Sequence, residues 1–559
     1  MPGDEGRSPL AHRFVRGALA LLPRREDYSG LGRSWRQDLL AGITVGIVAL
    51  PLALAFGVSS GVGAAAGLVT AIVAGLVAAV FGGSHVQVSG PTGAMVVVLA
   101  PIVASHGVPA VAVLSLMAGL ILIVLGASRL GRAVAYIPWP VVEGFTAGIG
   151  IIIFLQQVPL ALSVPVEHGG STAIEAARAF GAASWPGALA SIGVVTLVAV
   201  LMLALPRLHR ALPASLIAII VAALAVAVFG LDVPRLGALP ESLPAPHLPP
   251  FDLAALPALA GPALAIAALA GIESLLSARV ASGLTGPSGQ TTGPYHPDRE
   301  LVGQGLASIA AGLFGGMPAT GAIARTAVNV RSGARSRLAA VTHALVLVAV
   351  VYLASGLVAQ IPLAALAGVL MVTAARMVSI PVARRVLGST RSDAIAYLLT
   401  AVITVSFDLI VAIQIGIVCA ALLTLRKFAR LGGVRREPIE GAAHDGDERI
   451  AVFRLDGLMF FGVAERVLQE LAGVDDVEVV VLRLSQLRYL DATGAQALVE
   501  VIRELEQRGI TVLVKGVRDE HLALVTRVGV ISELRHHKHL FDDLDAAIEH
   551  ARSHVRRAA

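Results

Sequence analysis

GPTGAMV at residues 90–96 and PATGAIA at residues 318–324 share the triplet Thr-Gly-Ala, at 92–94 and again, 228 positions on, at 320–322. Each copy interrupts an apolar region with Gly and Pro just before a run of helical character. A helix that begins inside a membrane exposes its first N–H groups there. Those groups carry partial positive charge and favour an anion. VQVSGP (86–91) and GGMPA (315–319) read as short extended leads into two such half-helices. Irregular backbone at membrane depth is tolerated only where it lines protein or a cavity. Gly93 and Gly321 would let a ligand approach the backbone, and Thr92 and Thr320 would cap the helices or offer a hydroxyl. Close packing of small residues is the plainer reading of a lone triplet; the symmetric placement favours half-helices.

The surroundings of the triplets set the class of protein. Of 559 residues, 56% are hydrophobic and 14% charged, with mean hydropathy +0.79; about a quarter of a soluble domain is charged. No Asp, Glu, Lys or Arg occurs from Leu39 to Ser128, and a spanning helix needs roughly 20 apolar residues. The chain is therefore expected to be a polytopic, all-α membrane protein of about fourteen segments, some shorter than a full span. The first seven fall near 38–58, 64–83, 92–105, 108–127, 137–160, 184–205 and 212–230. The next seven fall near 256–282, 299–315, 321–332, 336–357, 362–378, 391–407 and 409–426. With the N-terminus inside, the inner loops hold Arg129, Arg132, Arg207, Arg210, Arg331, Arg335, Arg337, Arg384, Arg385 and Arg391. The outer loops hold only Arg178 and Arg235, with acids such as Glu167, Asp232 and Glu241, which satisfies the positive-inside rule. This arginine distribution accounts for the pI near 9.7 without a nucleic-acid partner.

Seven segments per half put the two triplets at matching places, in the third and tenth segments. ALPLALAFGVSSG (49–61) can likewise be laid beside AGIESLLSARVASG (270–283). Because seven is odd, the second half enters from the opposite side, giving inverted repeats over about 38–230 and 256–426 with half-helices meeting near the midplane. Residues 1–37 are Arg-rich, carry no cleavable-signal pattern and form an N-terminal segment; Phe14 to Leu22 reads as an amphipathic helix or a polar leader. The membrane part spans 38–426 and a polar linker 427–447. From 448 to 559 the pattern alternates: IAVFRLDG (450–457), VEVVVLRL (477–484) and ITVLVKG (510–516) read as strands and ATGAQALVEVIRELEQRG (492–509) as a helix. That order implies a small soluble α/β domain.

Few ionisable residues fall within spans. Glu273, in GIESLL, lies mid-segment, where an ionised carboxylate is costly and marks function by default. It could carry a proton along with an anion, or pair with a cation; its alternative is a structural carboxyl in a helix interface. Ser277 lies one turn away on the same face. Arg325 either holds positive potential near the anion or snorkels past Arg331 and Arg335 to the inner side. Phe56, mid-way along the first span, borders the central cavity or simply packs. Asp408, Glu143, His85 and His106 read as surface or interface residues. The single cysteine, Cys419, excludes internal disulfides and cysteine-based metal clusters. No metal site and no cofactor is expected, and no nucleophile–base pair or phosphate loop points to an enzyme.

ALPLALAFG (49–57), SGPTGAM (89–95), GIESLL (271–276), GGMPATGAIARTAV (315–328) and DLIVAIQIG (408–416) resemble the sulfate permease (SulP) family of anion transporters, and the carboxy-terminal part resembles the STAS domain such permeases carry. The resemblance covers about Asp38 to Ala547. It implies a seven-plus-seven inverted repeat with core and gate parts, dimers, and cytoplasmic STAS domains. It places Thr92, Gly93, Ala94, Thr320, Gly321, Ala322 and Arg325 at the anion site with Phe56 beside it. Glu273 matches the family's acidic position. Bicarbonate–sodium members have Asp there with Thr one turn on, whereas this chain has Glu with Ser277, which favours proton over sodium coupling. Pro51-Leu52 replaces the PQ of many members, removing a polar contact. In LDATG (490–494), Ala492 stands where related phospho-switches carry Ser, and Thr493 is expected to cap the helix. A structural or protein-docking role for the STAS domain follows. The expected function is secondary transport of sulfate or bicarbonate in the plasma membrane, by proton symport and alternating access, with both termini cytoplasmic. A sodium-coupled bicarbonate symporter, a dicarboxylate carrier, an uncoupled channel or exchanger, and a STAS-based scaffold are the alternatives.

Overall fold

Helices occupy the places that the apolar runs demand. In the computed structural model they are α1 (Leu31–Ser59), α2 (Ala64–Phe81), α3 (Gly93–His106), α4 (Pro109–Ala127), α5 (Trp139–Gln156), α6 (Trp185–Leu208) and α7 (Ala214–Val228). The second set is α8 (Leu256–Gly283), α9 (Pro297–Leu313), α10 (Ile323–Arg331), α11 (Leu338–Val358), α12 (Leu363–Met377), α13 (Arg391–Ser406) and α14 (Leu409–Leu431). The structure describes all residues except 1–20, 29–30, 133–136, 166–171, 210–211, 250–255, 288, 290, 407–408, 432, 441–443, 461–466, 468–475 and 559. Arg210, Glu167, Asp408 and most of the 14–22 stretch thus lie outside the described residues. The chain forms two compact units, Met1–Ile417 and Val418–Ala559, with the division inside α14.

Among the described residues, eight helices are long and apolar enough to cross a membrane. The helices that follow the triplets are short: α3 has 14 residues and α10 has nine, about 21 and 14 Å of rise against about 30 Å of hydrocarbon. Ahead of them, β1 (Ser89–Gly90) and β2 (Thr320–Gly321) pair antiparallel, Ser89 opposite Gly321 and Gly90 opposite Thr320. The second extended lead is displaced by two residues from the expected GGMPA, so Thr320 lies in the strand. Three short helices add to the expected segments: Val158–Ala161 extends α5, Thr172–Ala182 fills the expected outer loop, and Ile380–Leu387 carries Arg384 and Arg385.

Segments one to four pack with eight to eleven, and five to seven with twelve and thirteen. The most extensive seam among the described residues is α4 against α9, where a Cβ on Gly119 would sit 2.6 Å from the Gly305 carbonyl oxygen and one on Gly305 2.5 Å from that of Gly119. Only glycine permits that approach. At the start of α1, the fully buried Asp38 accepts from Ser34 Oγ (2.6 Å), Ser336 Oγ (2.6 Å), and the backbone N–H groups of Arg335 (2.7 Å) and Ser336 (3.0 Å). It ties α1 to the turn before α11. Asp38→Ala takes the acceptor from four donors and removes charge-assisted bonds, for a loss of about 3 kcal/mol; a lowered thermal midpoint of the detergent-purified protein checks this.

The carboxy-terminal unit is a six-stranded sheet: β3 (Gly433–Glu437), β4 (Ile450–Met459), β5 (Val479–Arg483), β7 (Thr511–Lys515) and β8 (Leu540–Phe541) in that order, with β6 (Leu487–Leu490) against β4. Among the described residues of this sheet, only β3 runs antiparallel. Val479 to Leu482 are all buried because both faces are covered. One face packs on α15 (Ala492–Gln507) and α16 (Asp519–Val528), the other on α17 (Leu544–Ala558) through Ala547, Ala551 and Val555. Two expectations are corrected. The stretch 427–447 is not merely a linker: α14 runs through Leu431 and Gly433–Glu437 pairs as β3, since Arg454 ties the edge strand's Glu437 at 2.6 Å. Asp491, not Thr493, caps α15, its Oδ1 accepting the Gly494 N–H at 2.7 Å from an extended backbone.

Candidate functional site

The two half-helices converge where β1 meets β2. Neither α3 nor α10 has a side-chain cap, so their first N–H groups are not consumed by one. Thr92 occupies the N-cap position of α3, but its hydroxyl donates across to Glu273 Oε2 at 2.8 Å. Thr320 is fixed by Ser274 Oγ (3.1 Å) and the Ala270 carbonyl (3.3 Å). The capping role considered for both threonines is thus replaced by hydrogen bonds to α8: Thr92 turns to Glu273, and β-strand pairing holds Thr320 two residues before the Ala322 N-cap.

Arg325 does not snorkel. It is 2% exposed, and its guanidinium folds back onto the Pro91 carbonyl. Its Nη1 is buried without a hydrogen-bond partner among the described residues. Gly90 has φ 155°, and a Cβ there would sit 2.7 Å from that Nη1; a side chain at 90 would expel the charge. Arg325 and the starts of two helices without side-chain caps therefore gather at the β1–β2 pair, an arrangement that suits an anion.

Thr92, Gly93, Thr320, Gly321, Glu273 and Arg325 are brought together as expected. The open faces of the two glycines, however, are occupied by protein. A Cβ on Gly93 would meet Ile153 Cδ1 at 2.2 Å and Phe56 Cε1 at 3.3 Å, and one on Gly321 would meet Gln87 Nε2 at 1.7 Å. Phe56 thus does border the half-helix, together with Ile153 of α5. Ala94 is buried at the second position of α3, and the Ala322 N–H is spent on the Val88 carbonyl at 2.9 Å. Ser277 does not turn to Glu273; its hydroxyl donates to Thr326 Oγ1 (3.1 Å), which accepts the Val88 N–H at 3.1 Å.

Several contributors were not singled out from sequence. Ser274 Oγ accepts the Gly321 N–H at 2.9 Å, Gln304 holds Ser89 at 2.6 Å, and Asn329 donates to the Val86 carbonyl at 2.8 Å. Glu300 accepts from the Gly83 and Ser84 N–H groups at 2.7 and 3.0 Å. His343 of α11 is fully buried with both ring nitrogens unpaired among the described residues. A Cβ on Gly75 would lie 3.4 Å from the Ser89 carbonyl and 3.6 Å from His343 Nδ1, so both face the same glycine. An ionisable or amide side chain within an apolar run was the available signal for Gln87, Gln304, Asn329 and His343.

Residues 35–400 match the sulfate permease family and residues 442–547 the STAS domain. The chain belongs to the sulfate permease family. This permease is 31% identical to YvdB of Bacillus subtilis over 526 residues, covering 92% of this chain and 97% of the relative. It is 31% identical over 512 residues to the bicarbonate transporter BicA of Synechocystis, covering 87% and 88%. The solved transmembrane domain of a cyanobacterial BicA is 32% identical with TM-score 0.60, covering 69% of this chain and 97% of that one. The murine solute carrier 26 member A9 anion transporter, in its inward-facing state, shares the fold with TM-score 0.83 at 15% identity, over 99% and 97%. A multi-pass membrane domain that moves anions, followed by a STAS domain, is therefore the class of this permease.

Proposed function

We propose that this permease is a secondary active symporter of a small inorganic oxyanion, sulfate or bicarbonate, with protons, working by alternating access. The observation that carries the reading is the 2.8 Å hydrogen bond from Thr92, at the start of one half-helix, to the carboxylate of Glu273. The coupling group and the anion-facing backbone are in direct contact. With Arg325 charged and Glu273 ionised the site is neutral; a monovalent anion alone makes it negative, and an anion with a proton on Glu273 restores neutrality. A hydroxyl both donates and accepts, so the Thr92–Glu273 contact survives protonation. Ser277 and Thr326 brace α8 against α10, and Phe56 with Ile153 closes over Gly93 in the state described. The grouping of segments one to four and eight to eleven supports their moving together as the substrate-carrying part against the remaining segments. The reading includes the plasma membrane, cytoplasmic termini, a homodimer, and a STAS domain that docks a cytoplasmic protein.

The test is uptake of labelled sulfate and labelled bicarbonate into proteoliposomes, with and without an inward proton gradient, in sodium-free buffer. Gradient-driven accumulation of one anion is expected. Accumulation only after sodium is restored would overturn proton coupling. That second reading is a sodium-coupled bicarbonate carrier; its substrate, though not its coupling ion, is favoured by the match to the bicarbonate transporter BicA over most of both chains. Flux of neither anion would direct the search to dicarboxylates.

A further inference from the structure

The carboxy-terminal unit brings together a histidine cluster that transport does not use. His550 and His554 lie four residues apart on one face of α17, and their Nε2 atoms are 3.3 Å apart. His539, in the turn before β8, is 5% exposed. Its Nδ1 is buried without a hydrogen-bond partner among the described residues, and the Val512 backbone lies beside the ring. The three rings meet edge to face, with centroids 5.0 to 5.6 Å apart, and one nitrogen from each lies within 4.8 Å of the others.

The His550–His554 separation matches a specific chemistry, and His539 lies close enough to complete it. Two nitrogens bound tetrahedrally at about 2.05 Å from zinc stand about 3.3 Å from one another. A backbone carbonyl on one ring nitrogen is also the usual outer partner of a metal-binding histidine, since it fixes the lone pair on the other nitrogen. The Val512 backbone beside His539 is placed for that role. We propose that His539, His550 and His554 form a three-histidine site for a divalent transition ion, zinc in the first instance, with a fourth position left for water or an external ligand. The expectation of no metal site came from the cysteine count and from isolated histidines; the HARSH spacing at 550–554 was the overlooked signal.

Its surroundings set its strength. Arg535, Lys538 and Arg557 stand near the cluster and oppose a cation, but all three are exposed and are screened by salt. Three neutral ligands with cationic neighbours give a dissociation constant on the order of micromolar, weaker than closed thiolate sites. The ion would join α17 to the turn ahead of the edge strand β8.

The experiment uses the full-length, tag-free protein in detergent, stripped with chelator and dialysed against zinc. About one zinc per chain is expected, with a drop of at least 10-fold in the His550→Gln/His554→Gln double variant and no change in the exposed His536→Ala/His537→Ala pair. Cobalt should give the intense visible absorption of a tetrahedral nitrogen site in the wild type and lose it in the double variant. Circular dichroism shows that the variants are folded. Absence of bound zinc, or zinc retained by the folded double variant, would overturn the proposal and leave the 3.3 Å contact as an N–H···N hydrogen bond between the two histidines.

Discussion

Glu273→Gln is expected to abolish proton-driven accumulation while leaving anion exchange in place. One proton per monovalent anion under a gradient of one pH unit supplies about 1.4 kcal/mol, enough for roughly tenfold accumulation. The amide cannot exchange a proton with either side, so the variant's ratio should fall to about one. Its carbonyl oxygen can still accept the Thr92 hydroxyl that is 2.8 Å from the native carboxylate, and the site keeps its shape. Counterflow of labelled against unlabelled anion, without a gradient, should therefore persist. Tenfold accumulation by the folded variant would show that the proton travels elsewhere. Loss of counterflow together with accumulation would assign Glu273 to binding.

Arg325→Ala is the second large effect. A unit charge about 8 Å from an anion, at an effective dielectric near 20, contributes about 2 kcal/mol, so KM should rise roughly 30-fold. Arg325→Lys retains the charge and should recover part of that loss. It cannot reproduce a planar fork that holds the Pro91 carbonyl with one nitrogen and leaves Nη1 free. A change in maximal rate with unchanged KM would place Arg325 in the moving parts instead of at the anion. Uptake rates across a substrate series separate the two outcomes.

The arrangement of the membrane helices was legible because apolar length and arginine placement act locally, residue by residue. The half-helices were legible because a repeated triplet broke the runs at matching points. What surrounds them was not. Thr92 meets Glu273, Ser274 meets Gly321, and Asn329 meets Val86 across 181, 47 and 243 residues, distances at which no spacing rule operates. The same limit explains Thr320: its strand pairing with Gly90 overrode the capping tendency of a threonine near a helix start. In the carboxy-terminal unit the apolar strands β4, β5 and β7 announced themselves. The charged edge strand β3 did not, since it carries few apolar residues, and β8 did not because Leu540–Phe541 is too short for a periodic pattern.

The interleaving of the two repeats bears on how the chain is made. α9 packs into α4 and α2, and α11 onto α1 and α2, so the first repeat alone cannot bury its seams at Gly42 and Gly119, whose partners are Ala339 and Gly305. Gly119 on α4 waits for Gly305, roughly 190 residues downstream, which at ribosomal speed takes on the order of 10–40 s. During that interval α1 to α4 sit in the bilayer with their small-residue faces turned to lipid or to the insertion machinery. Assembly of this permease is therefore paced by translation of its second half. A synonymous change that slows the ribosome between residues 128 and 296 lengthens exposure without altering a single contact in the finished protein.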